Sequence, residues 1–122
     1  CLDETRYYKQ LHDNYNDDGL EIIAVCYEAS KSYEKQVKSV ERLINNYDLN
    51  YTFLIGGNAS KTLASEQFSF LNEIISFPTS IYINKKGEIV KVHTGFNGPG
   101  TGDVYTNYVK ETNAFIETLL NE

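Results

Sequence analysis

SFPTSIYINKKGEIVKVHTGF, residues 76–96, reads as an antiparallel hairpin. Two strand-like runs, 79–84 and 88–94, flank Asn-Lys-Lys-Gly, where Gly87 supplies the permissive backbone of a tight turn. Pro78 stands at the head of the first run, the one strand position that needs no ladder donor.

Working outward from the hairpin, the chain alternates. LEIIAVCY at 20–27 is a nearly continuous apolar run with β-branched residues, the pattern of a strand buried on both faces in a parallel sheet. YTFLI at 51–55 is a second short strand, closed by Gly56-Gly57. Residues 3–16 have helical spacing, with Leu11 four after Tyr7 and Tyr15 four after Leu11, and with Asp3 and Glu4 in the first turn, where acids suit the helix dipole. The clearest helix is 32–47, striped by Tyr33, Val37, Val40, Ile44 and Tyr47. A further helix is expected over 60–72, and a last one over about 103–121, with Tyr105, Tyr108, Val109, Thr112, Phe115, Ile116, Leu119 and Leu120 on one face. NDDG at 16–19 is a turn and NGPGTG at 97–102 a loop. Alternation followed by a hairpin predicts an α/β fold: a mixed sheet flanked by helices, in one domain spanning 1–122.

Composition narrows the function. With 11 basic against 17 acidic residues, a net charge of −6 and no basic stripe, the chain is poorly suited to nucleic acid. No apolar run reaches the roughly 18 residues that span a bilayer. Two cysteines, Cys1 and Cys26, cannot form a multi-disulfide scaffold. His12 and His93 are far apart with no cysteine pair beside them, which argues against a zinc site. No cofactor is indicated. The loop GFNGPGTGD at 95–103 lacks the Gly-Lys-Ser/Thr ending of a phosphate cradle and reads as a structural connection, and Asp17-Asp18 reads as solvated surface.

Cys1 precedes a helix, where unpaired N–H groups and the positive dipole end stabilise a thiolate, although Asp3 and Glu4 oppose it. From position alone it is either such an activated thiol or an incidental residue. Phe77–Pro78 is either an ordinary trans proline at a strand edge or a cis bond that frees the Phe77 backbone to pair with an extended peptide. Cys26, near the end of an apolar strand, reads as packing.

Taken together, Cys1-Leu2-Asp3-Glu4, LEIIAVCYE, FPTSIYINKKGEIV and KVHTGFNGPGTGDVY resemble the TlpA-like thiol–disulfide oxidoreductases of the thioredoxin superfamily. The resemblance implies a thioredoxin-like fold without its N-terminal strands, one of which would lie centrally beside 20–27. That gap would leave unpaired backbone groups for an upstream segment, an oligomer or a second chain to fill. It implies that Cys1 matches the second cysteine of a Trp-Cys-x-x-Cys motif, Glu4 the glutamate three residues on, Pro78 the cis-proline facing the motif and Phe77 its neighbour. Cys1 and Glu4 are then the expected catalytic residues, Phe77 and Pro78 the substrate-binding ones. The implied activity is dithiol–disulfide exchange on protein thiols and disulfides with a redox partner protein, in a bacterial periplasm or cell envelope. A peroxiredoxin-like peroxidase is a competing reading, but Cys26 lacks a preceding Pro-x-x-x-Thr/Ser segment; a non-catalytic peptide-binding module is another.

Overall fold

The computed structural model of the chain describes residues 2–68 and 78–122. Four helices, α1 (Leu2–Tyr15), α2 (Tyr33–Tyr47), α3 (Lys61–Gln67) and α4 (Asp103–Leu120), and four strands, β1 (Ile23–Glu28), β2 (Thr52–Asn58), β3 (Thr79–Ile83) and β4 (Ile89–Thr94), follow the expected order. Short 3-10 turns occupy Asn16–Asp18 and Pro99–Thr101. Among the described residues β1 pairs only with β2, in parallel, and β3 only with β4, antiparallel. The chain divides into two compact units, one of residues 1–20 and 76–122, the other of 21–75.

In the first unit α1 and α4 pack over one face of the β3–β4 hairpin. Strand alternation puts Ser80 and Tyr82, with their partners His93 and Lys91, on that face. Tyr82 meets the Phe115 ring edge-on, His93 lies 5.2 Å from the Tyr108 ring, and Lys91 sits over the Tyr82 and Phe115 rings. The core is Tyr7, Leu11, Thr112 and Ile116, and the buried Tyr7 hydroxyl donates to Asn113 Oδ1 at 2.8 Å, so its burial leaves no donor idle. The hairpin turn is made by Asn84 as much as by Gly87. Asn84 Oδ1 accepts from the Lys86 and Glu88 amides at 3.0 and 2.9 Å, and Gly87 takes φ +83°. The face carrying Val90 and Val92 is open to solvent.

In the second unit α2 and α3 pack against the parallel pair. The buried stripe of α2 is centred on Val40, as expected, but its ends differ: Tyr33 is exposed and Gln36 is buried. Gln36 can go inside because its Nε2 donates to the Ser30 carbonyl at 2.8 Å. The β1 run is not buried on both faces. Ile23 is 61% exposed and Leu54 on β2 is 50% exposed, so one face of this pair is open. The expectation came from apolarity alone, which cannot say how many layers cover a strand. Gly56-Gly57 does not close β2 but bulges it. A Cβ on Gly56 would run into the Tyr27 ring, and one on Gly57, at φ +135°, into Leu63. The helix expected over 60–72 is described to Gln67, with the Ser60 hydroxyl capping it by accepting from the Leu63 amide at 3.2 Å.

Candidate active site

The chemistry-bearing residues of the first unit gather where α1 begins and β3 begins. Glu4 lies in the first turn of α1, half-buried. Its Oε2 is shielded from solvent and accepts no hydrogen bond among the described residues. Burial therefore dominates its titration and pushes its carboxyl up to about 7. A carboxyl in that state is about half protonated at neutral pH, which weakens the charge that would oppose a thiolate at the head of the same helix.

Tyr8, one turn further along α1, hydrogen-bonds Ser80 on β3. Its phenol is pushed far up, first by burial and then by the Glu4 charge. The Tyr82 phenol is raised in the same direction by burial, by Tyr108 and by Glu4. The Tyr108 hydroxyl is shielded from solvent with no hydrogen-bond partner among the described residues, and its ring system acts electrostatically on Tyr82. Glu4, Tyr8 and Tyr82 thus form a half-buried, interacting set in which the Glu4 carboxyl titrates near neutrality, with Tyr108 acting on the two tyrosines.

Pro78 is half-buried at the start of β3, and its carbonyl accepts from the Gly95 amide at 2.8 Å, which ties it to the end of β4. The loop beyond Gly95 closes on the first turn of α1, since a Cβ on Gly98 would collide with the Asp3 carboxylate. The glycine-rich loop thus packs against α1 at Gly98. Cys1 and Phe77, with the Phe77–Pro78 bond, lie outside the described residues.

Cys26 sits half-buried on β1 opposite Ile55. Burial, with the Glu28 charge second, pushes its thiol up to about 11, so it stays protonated and unreactive at neutral pH. No cluster of three His, Cys, Asp or Glu among the described residues could hold a metal, and no helix among them is long and apolar enough to cross a membrane.

Sequence reasoning singled out Glu4 and Pro78 but missed Tyr8 and Ser80, the pair that joins their two elements. Spacing alone puts Tyr8 on the Glu4 face of the helix and Ser80 on the Pro78 face of the strand, but nothing local pairs the two residues with each other.

Alternating helices and strands, a hairpin headed by proline and a half-buried glutamate in the first turn of the leading helix fit the TlpA-like branch of the thioredoxin superfamily, to which comparison with known proteins assigns the chain. The chain belongs to the redoxin family, whose model, described as Redoxin, matches residues 1–109. It is similar to the thiol-disulfide oxidoreductase ResA of Halalkalibacterium halodurans, 34% identical over 95 residues, or 78% of this chain and 47% of that protein. The chain spans about half the length of this relative.

Proposed function

We propose that the intact protein is a thiol–disulfide oxidoreductase acting on protein disulfides, with Cys1 as its resolving thiol. The observation that carries the reading is the similarity to a thiol-disulfide oxidoreductase over most of the chain. The half-buried Glu4 in the first turn of α1, close behind Cys1, supports it.

The proposed cycle uses a second cysteine that precedes Cys1 in the intact motif. That thiolate attacks a substrate disulfide, forming a mixed disulfide and expelling one substrate sulfur as thiolate. Cys1 then attacks the motif sulfur of the mixed disulfide and expels the second substrate sulfur, leaving a disulfide within the protein. The substrate gains two electrons and two protons, and a redox partner protein restores the dithiol. Glu4, at about 7, can give a proton to a departing thiolate and take one from Cys1. Pro78 and Phe77 would hold the substrate chain in extended pairing beside the sulfurs. On this reading the protein works in a bacterial periplasm or cell envelope, and a strand upstream of Cys1 pairs with the open edge of β1.

The test is turnover of a disulfide-bonded protein such as insulin by the intact protein, with and without Cys1→Ser. Cys1-dependent reduction, with hydrogen peroxide left unconsumed, is the expected result. Full turnover by Cys1→Ser would remove the reading, and Cys1-independent peroxide consumption would favour the peroxidase alternative.

A further inference from the structure

Two elements carry the proposed exchange chemistry, α1 with Glu4 and β3 with Pro78, and a side-chain bond couples them. Tyr8 lies one helical turn after Glu4 on the same face, and Ser80 two residues after Pro78 on the same side of the strand. The Tyr8 hydroxyl and Ser80 Oγ hydrogen-bond directly. Each element is held elsewhere too. The Gly95 amide fixes the Pro78 carbonyl at 2.8 Å, and Gly98 lies hard against Asp3 at the front of α1.

The Tyr8–Ser80 bond differs from those two contacts because it crosses directly from the helix to the strand. We propose that Tyr8 is a positioning residue for thiol exchange, its bond to Ser80 holding the turn of α1 that carries Glu4 in register with the start of β3 that carries Pro78. The inference rests on the thiol-exchange reading above.

The phenol suits this task. Burial keeps it protonated, so the bond does not come apart by ionisation in the working pH range. The ring also closes one side of the Glu4 environment. Facing Glu4 are Tyr8 on its own helix and Tyr82 from β3; Tyr108 from α4, with the His93 ring tilted against its own, acts on both tyrosines. Loosening α1 from β3 would admit water to the carboxyl and return its titration toward the ordinary range. It would also displace the strand on which a substrate chain docks.

The experiment compares Tyr8→Phe, Ser80→Ala, the double variant and Ser80→Thr in the intact protein, with insulin as substrate. Tyr8→Phe and Ser80→Ala are each expected to raise KM about fivefold, with a smaller change in kcat. The double variant should be no worse than either single, because both remove one bond. Ser80→Thr, which keeps the hydroxyl, should restore KM. The inflection of kcat near neutral pH should move to lower pH in Tyr8→Phe and Ser80→Ala but not in Ser80→Thr. Unchanged KM and pH profile, or strictly additive defects, would overturn the inference. Should Tyr8→Phe fail to fold, the contrast between Ser80→Ala and Ser80→Thr decides alone, equal behaviour of the two counting against it. Turnover that depends on Cys1 but ignores Tyr8 and Ser80 sinks this inference alone. Turnover indifferent to Cys1→Ser sinks the exchange reading and this inference with it.

Discussion

Burial acts on one reactive group in each half of this molecule, and it does opposite things to their usefulness. In the unit of α1, the hairpin and α4, it lifts the Glu4 carboxyl from 4.5 to about 7, into the range where protons are exchanged in a cell. In the unit of β1, α2, β2 and α3, it lifts the Cys26 thiol from 9.0 to about 11, out of that range. The surroundings differ accordingly. Glu4 interacts with tyrosine hydroxyls from α1 and β3, whereas the buried residues around the parallel pair include Val40, Leu49 and Ala64. A raised titration point is thus not by itself a mark of function. It matters which way the shift moves the group relative to neutrality, and whether polar neighbours are there to use the proton.

The largest expected effect separates the two cysteines. In the intact protein Cys1→Ser should lower disulfide turnover by about 100-fold or more, because the mixed disulfide is no longer resolved. Cys26→Ser should leave turnover within about twofold, since a protonated, half-buried thiol takes no part in exchange. Steady-state insulin reduction by both variants measures the contrast. A Cys26 variant as impaired as the Cys1 variant would break it.

The glycines sharpen the comparison at the level of stability. Gly57→Ala meets two penalties together, a backbone at φ +135° and the Leu63 side chain where the Cβ would go. It should cost about 2–3 kcal/mol in urea unfolding. Gly98→Ala adds a methyl against Asp3 with an ordinary backbone, and the carboxylate end of Asp3 can swing aside. It should cost about 1 kcal/mol, and its larger effect should fall on turnover, through the first turn of α1. The reverse ranking would mean that the glycine-rich loop carries more of the fold than its packing implies.

Much of this was legible in the chain. The order of elements follows from period, from the Asn-Lys-Lys-Gly turn and from the proline at the head of β3. The stripe of α4 is legible because a long amphipathic helix repeats its signal over five turns: all eight residues that spacing selects are buried or half-buried, and only Asn113 joins them unannounced. Other features were not legible, for physical reasons. LEIIAVCY looks buried on both sides because apolarity reports what a strand can tolerate, not what covers it. Gly56-Gly57 looked like a stop because a glycine pair marks either a turn or a close approach, and only the Tyr27 ring and Leu63 distinguish the two. In the site, Glu4 and Pro78 stood out by motif, but the Tyr8–Ser80 bond spans 72 residues, and no local pattern announces a contact so distant.

A pH-dependent comparison probes the half-buried carboxyl directly. A carboxyl whose folded value lies above its unfolded one holds more protons in the native state between the two values. The contribution of Glu4 to native stability therefore declines as pH rises from about 4.5 through about 7, and the deficit is complete above that. Glu4→Gln removes the ionisation and keeps the shape. It should match the parent protein at pH 4 and exceed it at pH 8 by about 1–2 kcal/mol, a figure reduced from the full linkage value because Glu4 is only partly shielded. Cys26→Ser, by contrast, should show no pH-dependent difference across this interval, because a thiol near 11 stays protonated throughout. Urea unfolding of the parent protein and of both variants at pH 4 and pH 8 gives the six numbers needed. A Glu4→Gln difference that is the same at both pH values would mean that the carboxyl is hydrated and ionises normally. The contrast between the two halves would then reduce to their packing, and the proton-handling role of Glu4 would fall.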